Sequence, residues 1–198
     1  MSRPTKVSVV LPVRDGQHQV IERVERVLDA LSEMTSEAFE VVVVDDGSRD
    51  ATPEVLNELG ARHAEVRVAR HSRPRGMEAA GQTGLERAKG ELVFIQESNT
   101  PVRIDDLIRL HQMSRDYSVV AARAESTPRP IAPSLLRRLR AWGTNADQQF
   151  EPAKVDMPTS SIQMIRRPHL QKLAGPYGDE YQLYGETMMS NKVERVER

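Results

Sequence analysis

Val41-Val42-Val43-Val44-Asp45-Asp46-Gly47-Ser48-Arg49-Asp50 is the stretch on which the fold turns. Four consecutive β-branched residues favour extended backbone, and no polar residue alternates with them, so the spacing predicts a strand buried on both faces, as in a parallel sheet. The strand ends in two carboxylates, a glycine and a serine. At the carboxyl end of a buried strand such a turn lies where open α/β sheets take their ligands. Read from the residues alone, Asp45 and Asp46 are either local hydrogen-bond acceptors in a tight strand-to-helix connection or ligand-binding groups.

Working outward, Val7-Ser8-Val9-Val10-Leu11 is a second short strand, closed by Pro12 and followed by the polar turn Val13-Arg14-Asp15-Gly16. Val20, Ile21, Val24, Leu28 and Leu31 then recur at helical spacing among charged residues. After the acidic turn, Thr52-Pro53-Glu54 opens another helix. Val66–Ala69 is a weaker strand. It leads through the basic loop His71-Ser72-Arg73-Pro74-Arg75-Gly76 to a helix over 77–89 that Gly90 stops. Glu91–Ile95 is a fourth buried strand and ends in the polar cluster Gln96-Glu97-Ser98-Asn99. A helix through Ile104, Leu107 and Ile108 and a strand over 117–122 follow. Strands alternating with helices require an α/β fold with a mostly parallel sheet.

Beyond Ala122 the pattern changes. Pro128, Pro130 and Pro133 make 125–133 a loop. Residues 134–142 form a basic amphipathic helix that either packs on the domain or lies on a membrane surface, and 181–198 reads as a final helix. The 198 residues suit one domain. A net charge of -1 gives no general attraction to nucleic acid, and the lack of cysteine removes disulfides and thiolate chemistry. No apolar run approaches a membrane span, which makes a cytoplasmic protein, peripheral to the membrane at most, the expectation.

Val7–Asp15 (VSVVLPVRD), Val42–Thr52 (VVVDDGSRDAT), Gly84–Ile95 (GLERAKGELVFI), Pro101–Leu107 and Gly185-Glu186 together resemble the family 2 glycosyltransferases of the GT-A fold. A fainter likeness joins Arg137–Asn145, Asp156–Arg167 (DMPTSSIQMIRR) and Leu170 to the polyprenyl-phosphate, dolichol-phosphate mannose synthase-like members. The resemblance implies a single GT-A-like domain over 1–198, a Rossmann-like three-layer α/β sandwich with a mostly parallel central sheet. Residues 1–122 would be its nucleotide-binding half and 123–198 its acceptor-side half. It further implies a nucleoside diphosphate sugar as donor and a lipid phosphate or a glycan as acceptor. Pro12, Val13, Asp15, Asp45 and Asp46 would surround the nucleoside, carboxylates being acceptors for base N–H and ribose hydroxyl groups.

The family's metal-binding Asp-x-Asp reads here Gln96-Glu97-Ser98. Two charges are gone, and the remaining Glu97 occupies the middle position, which points away from the other two in extended backbone. No residue is therefore assigned to a metal, and a divalent magnesium or manganese ion is expected at most through Glu97 and substrate phosphates. Arginines are the other way to neutralise a diphosphate: Arg73, Arg75, Arg166 and Arg167 are the candidates, with Arg166 and Arg167 placed beside the diphosphate and sugar. The family's Gly-Glu-Asp becomes Gly185-Glu186-Thr187, leaving Glu186 as the candidate base or as a first-turn acid facing a helix dipole. Two functions stay open: a glycosyltransferase with an atypical, metal-independent site, or a catalytically inactive GT-A domain serving as a nucleotide-binding or protein-interaction module.

Overall fold

The computed structural model describes residues 5–126, 160–175, 178–183 and 194–197. β1 (Val7–Val13), β2 (Phe39–Asp45), β3 (Val66–Arg70) and β4 (Leu92–Gln96) run parallel, joined by α1 (Val20–Met34), α2 (Thr52–Arg62) and α3 (Met77–Arg87). After α4 (Ile104–Met113) come β5 (Val119–Ser126), β6 (Ser160–Arg166), β7 (Leu170–Gly175), β8 (Gly178–Leu183) and β9 (Glu194–Glu197). The main sheet has the order β3-β2-β1-β4-β6-β5-β9, and β7 pairs with β8 as a separate hairpin. β6 is antiparallel to both β4 and β5, and β9 is antiparallel to β5, so β1 to β5 share one direction. The fold is the expected α/β architecture with a mostly parallel central sheet.

The valine run explains the layering. Val41 and Val43 lie in one core with Val9 and Leu11 of β1, Leu31 of α1, Leu56 of α2 and Leu107 of α4. Val42 and Val44 face the other way, into a smaller core with Val10, Val93 and Ala80 and Leu85 of α3. Each fully buried valine is worth on the order of 1.5–3 kcal/mol, so a strand buried twice over anchors both layers. Pro12 does not end β1, which continues to Val13. The β1–β4 ladder closes at Val10 with Ile95, so the proline's missing N–H interrupts no pairing there.

α3 lies so close to the sheet that glycine is required at the contact. A Cβ on Gly84 would overlap Val10 Cγ1. At the opposite end from the acidic turn, a Cβ on Gly90 would meet Ser8 N at 2.7 Å. There Ser8 Oγ accepts from Gly90 N–H and donates to Glu40, whose carboxylate also accepts from Lys89 N–H and Arg67. Burial alone would raise the Glu40 pKa; the bonds from Lys89, Ser8 and Arg67 outweigh it and hold the group below its ordinary value.

Two expectations for the second half are corrected. Residues 125 and 126, expected in a loop, still pair with Ser161 and Ser160. The final helix expected over 181–198 is not formed where the chain is described: 181–183 belong to β8 and 194–197 to β9. Short segments such as these take the conformation that an open strand edge offers, and pairing with β7 and β5 overrides a weak helical preference. The rest of the loop at 127–133, the basic segment 134–142 and Glu186 lie outside the described residues.

Substituting Gly84→Ala should destabilise the protein by about 1–3 kcal/mol through overpacking against Val10. Urea denaturation would show this as a lower midpoint with an unchanged slope.

Candidate functional site

The C-terminal ends of β1, β2 and β4 bring together the turns singled out in the sequence. The turn after β1 and the acidic turn after β2 are tied to each other through main-chain donors and side-chain acceptors. Asp15 N–H donates to Ser48 Oγ at 2.9 Å and Gly16 N–H to Thr52 Oγ1 at 2.8 Å. In return, Arg49 N–H donates to Asp15 Oδ1 at 2.8 Å and Ala51 N–H to Gln17 Oε1 at 2.7 Å. Asp15 adopts φ 49°, a left-handed conformation that aspartate tolerates better than most residues. Asp15 is exposed, whereas Pro12, Val13, Asp45 and Asp46 are buried.

The two carboxylates of the acidic turn face different partners. Asp45 Oδ1 accepts from Ser48 N–H at 2.9 Å and from the Ser48 hydroxyl, while Oδ2 is 3.1 Å from Arg70 Nε without an aligned hydrogen bond. Asp46 Oδ1 accepts from Arg75 N–H and lies 2.8 Å from His71 Nδ1, and Oδ2 accepts from Gly76 N–H at 2.8 Å. Both carboxylates have 0% exposure. Burial would push the Asp46 pKa up, but the bonds from Arg75, His71 and Gly76 prevail and lower it from 3.8.

At the end of β4, Gln96 is fully buried and donates to Thr100 Oγ1 at 3.1 Å, beside a Ser98–Thr100 hydroxyl pair at 2.6 Å. Glu97 points elsewhere, as extended backbone requires. Its carboxylate is bound by Arg123 through Nε at 2.9 Å and Nη2 at 2.8 Å, by the Ser161 hydroxyl and by the Gln163 amide. These residues do not fit the divalent cation that the family's motif would hold. Gln96 and Ser98 are neutral, and both oxygens of the one carboxylate are already engaged.

Arg166 and Arg167 are not part of this end. Arg166 pairs in register with Leu92, at the start of β4, whereas Gln96 pairs with Ile162. Four residues of strand, about 13 Å, therefore separate them. Arg166 donates to the carbonyls of Val119 and Ser114 and stacks over Tyr117 with 4.8 Å to the ring centroid; Arg167 donates to Ala88 O. Their expected place beside a diphosphate is corrected by this register.

Sequence reading missed Arg23. It projects from the apolar stripe of α1, one turn from Val20 and Val27, and that charge on a buried face was the available signal. Its guanidinium donates to Asn99 Oδ1 at 2.8 Å and to the carbonyls of Asn99 and Thr100. Burial pushes its pKa down to about 10. Asn99 in turn donates to Arg14 O, which closes a link from the β4 end to the β1 end. A cavity of about 240 Å³ opens beside Arg23, between α1 and Pro101-Val102.

A family model for glycosyl transferase family 2 matches residues 8–174. The chain belongs to that family. Among curated relatives, an undecaprenyl-phosphate 4-deoxy-4-formamido-L-arabinose transferase of Pseudomonas aeruginosa is 36% identical over 124 residues, 60% of this chain and 36% of the relative. The glycosyltransferase GlyG of Streptococcus pneumoniae is 30% identical over 116 residues, 58% of this chain and 37% of the relative. The matched segments thus span about a third of these relatives' lengths. A mannosyltransferase from Pyrobaculum calidifontis, solved with GDP-Man and Mn2+, is 26% identical with a TM-score of 0.49, covering 69% of this chain and 39% of that one. No described helix of this family 2 chain is long and apolar enough to cross a membrane.

The lowered Asp46 pKa has a thermodynamic consequence. Its contribution to stability is complete above the ordinary aspartate value of 3.8 and is lost as pH falls through the lower folded-state value. Asp46→Asn should therefore be less stable than wild type at neutral pH. The difference should shrink below pH 3.8, as followed by thermal melting across an acid series.

Proposed function

We propose that the chain binds a nucleoside diphosphate sugar across the C-terminal ends of β1, β2 and β4 and transfers its glycosyl group without a divalent metal. The observation that carries this reading is the chemistry at the end of β4: neutral Gln96 and Ser98 where the family has its acid pair, and Glu97 committed to Arg123, Ser161 and Gln163. Pro12, Val13, Asp15 and Asp45 border the nucleoside. Asp45 Oδ2, buried and without an aligned donor, is a ready acceptor for a base N–H or a ribose hydroxyl.

Transfer joins an acceptor oxygen to the anomeric carbon while the bond to the diphosphate oxygen breaks, its electron pair leaving with the diphosphate through an oxocarbenium-like state. A lipid phosphate is the favoured acceptor, supported by the undecaprenyl-phosphate transferase at 36% identity. Such an acceptor arrives ionised and needs no strong base, which suits the replacement of the family's aspartate by Thr187. Glu186 would serve as base only toward a hydroxyl acceptor. In this reading residues 1–122 hold the donor and 123–198 the acceptor side of one domain. The protein acts on the cytoplasmic side, peripheral to the membrane that carries the lipid phosphate. Loss of both the metal pair and the base also motivates a second reading, a nucleotide-binding module without turnover.

Calorimetry with uridine, guanosine and thymidine diphosphate sugars, in EDTA and in manganese, tests the proposal. One donor should bind equally in both. Tightening by manganese of about tenfold, 1.4 kcal/mol or more, would refute the metal-independent site. Sugar release onto an added polyprenyl phosphate then separates the enzyme from the silent module.

A further inference from the structure

The loop between β3 and α3 is fixed at its backbone yet presents two arginines that, among the described residues, pair with no carboxylate. Its hold on the acidic turn is dense. Asp46 takes the N–H groups of Arg75 and Gly76, and His71, which also meets Asp46, reaches Thr83 Oγ1 at 2.9 Å with its other nitrogen. His71 N–H donates to Asp45 O at 2.9 Å. Gly47, at φ 67°, packs so tightly under the loop that a Cβ there would lie 2.7 Å from Arg73 C and Pro74 N. Asp46 has no exposed surface left with which to meet a ligand.

Arg73 and Arg75 themselves are exposed. Among the described residues neither lies within ion-pair distance of a carboxylate. An ordinary surface arginine sits on a backbone free to move. Here the main chain beneath two of them is pinned by a buried carboxylate, a histidine and a glycine contact, at the same end of the sheet as Asp15 and Asp45. Fixing the backbone of a charged loop in advance lowers the ordering cost of binding an anion. A guanidinium meets a phosphate with two parallel N–H bonds and a full positive charge.

The geometry points to Arg73 and Arg75 as the fixed positive charge that receives the diphosphate, and to Asp46 as a positioning residue that acts through them rather than as a nucleoside ligand. This deepens the donor-binding reading above and rests on it. It also selects between the four arginines the sequence offered, since Arg166 and Arg167 lie at the other end of β4.

The test compares uridine and guanosine diphosphate with the bare nucleosides, by calorimetry and NMR titration in EDTA, on wild type, R73A/R75A and D46N. Loss of charge-assisted bonds should weaken diphosphate binding by about tenfold for each arginine, while nucleoside binding is unchanged. D46N should repeat the pattern, weakening the diphosphate by roughly tenfold and not the nucleoside, with faster amide exchange at Arg75 and Gly76. The exposed pair keeps the idea refutable should D46N fold poorly. Equal losses for nucleoside and diphosphate would mean direct base contact and overturn the assignment, as would diphosphate binding indifferent to R73A/R75A. Wild type that binds neither diphosphate overturns the donor-binding reading, and this one with it.

Discussion

Asp45 and Asp46 place two carboxyl groups at the end of a buried strand, and neither residue has surface exposed to solvent. A buried carboxylate must find donors or give up its charge. Asp45 draws in Ser48 and Arg70, and Asp46 draws in His71 and the main chain at Arg75 and Gly76. The loop after β3 is thereby fastened to the turn after β2, and the Ser48 hydroxyl, which donates to Asp45 and accepts from Asp15 N–H, joins the turn after β1 to it. The shape of the ligand edge follows from this need for donors.

The other end of the sheet solves a similar problem for a different purpose. Glu40 is buried and is satisfied by Ser8, Lys89 and Arg67. These bonds tie the α3–β4 connection to β1 and β2, and Arg167 adds a bond to Ala88 O. Their partners are all groups of the chain itself, and none is left over for a ligand. On the side of the acidic turn, Gln96 Oε1 at the end of β4 and Asp45 Oδ2 at the end of β2 remain without aligned donors.

What local pattern governs was legible in the chain. The valine run, the α1 stripe and the strand–helix alternation up to α4 formed as their periodicity dictates, because each depends on residues within a turn or a strand of one another. What depends on pairing between distant segments was not. The insertion of β6 between β4 and β5 decided that Arg166 sits beside Leu92 rather than Gln96, and no local signal carries that register. The donors that Asp46 takes lie 25 to 30 residues along the chain, out of reach of any local pattern. The middle position of Glu97 was legible, since side-chain alternation in a strand is local, and its partners Arg123, Ser161 and Gln163 were not.

The strand order also sets a schedule for synthesis. β1 to β4 can assemble as the chain emerges, each new strand joining a neighbour already made. β5 cannot, because among the described residues its partners in the sheet are β6 and β9. Until residues 160–166 have left the ribosome, the described strand that pairs with both β4 and β5 has yet to be made. At about 5–20 residues per second, making the intervening stretch takes seconds, long compared with the microseconds in which a hairpin closes. An unpaired edge is a template for any other extended chain, and in this fold that exposure ends when β6 inserts between β4 and β5.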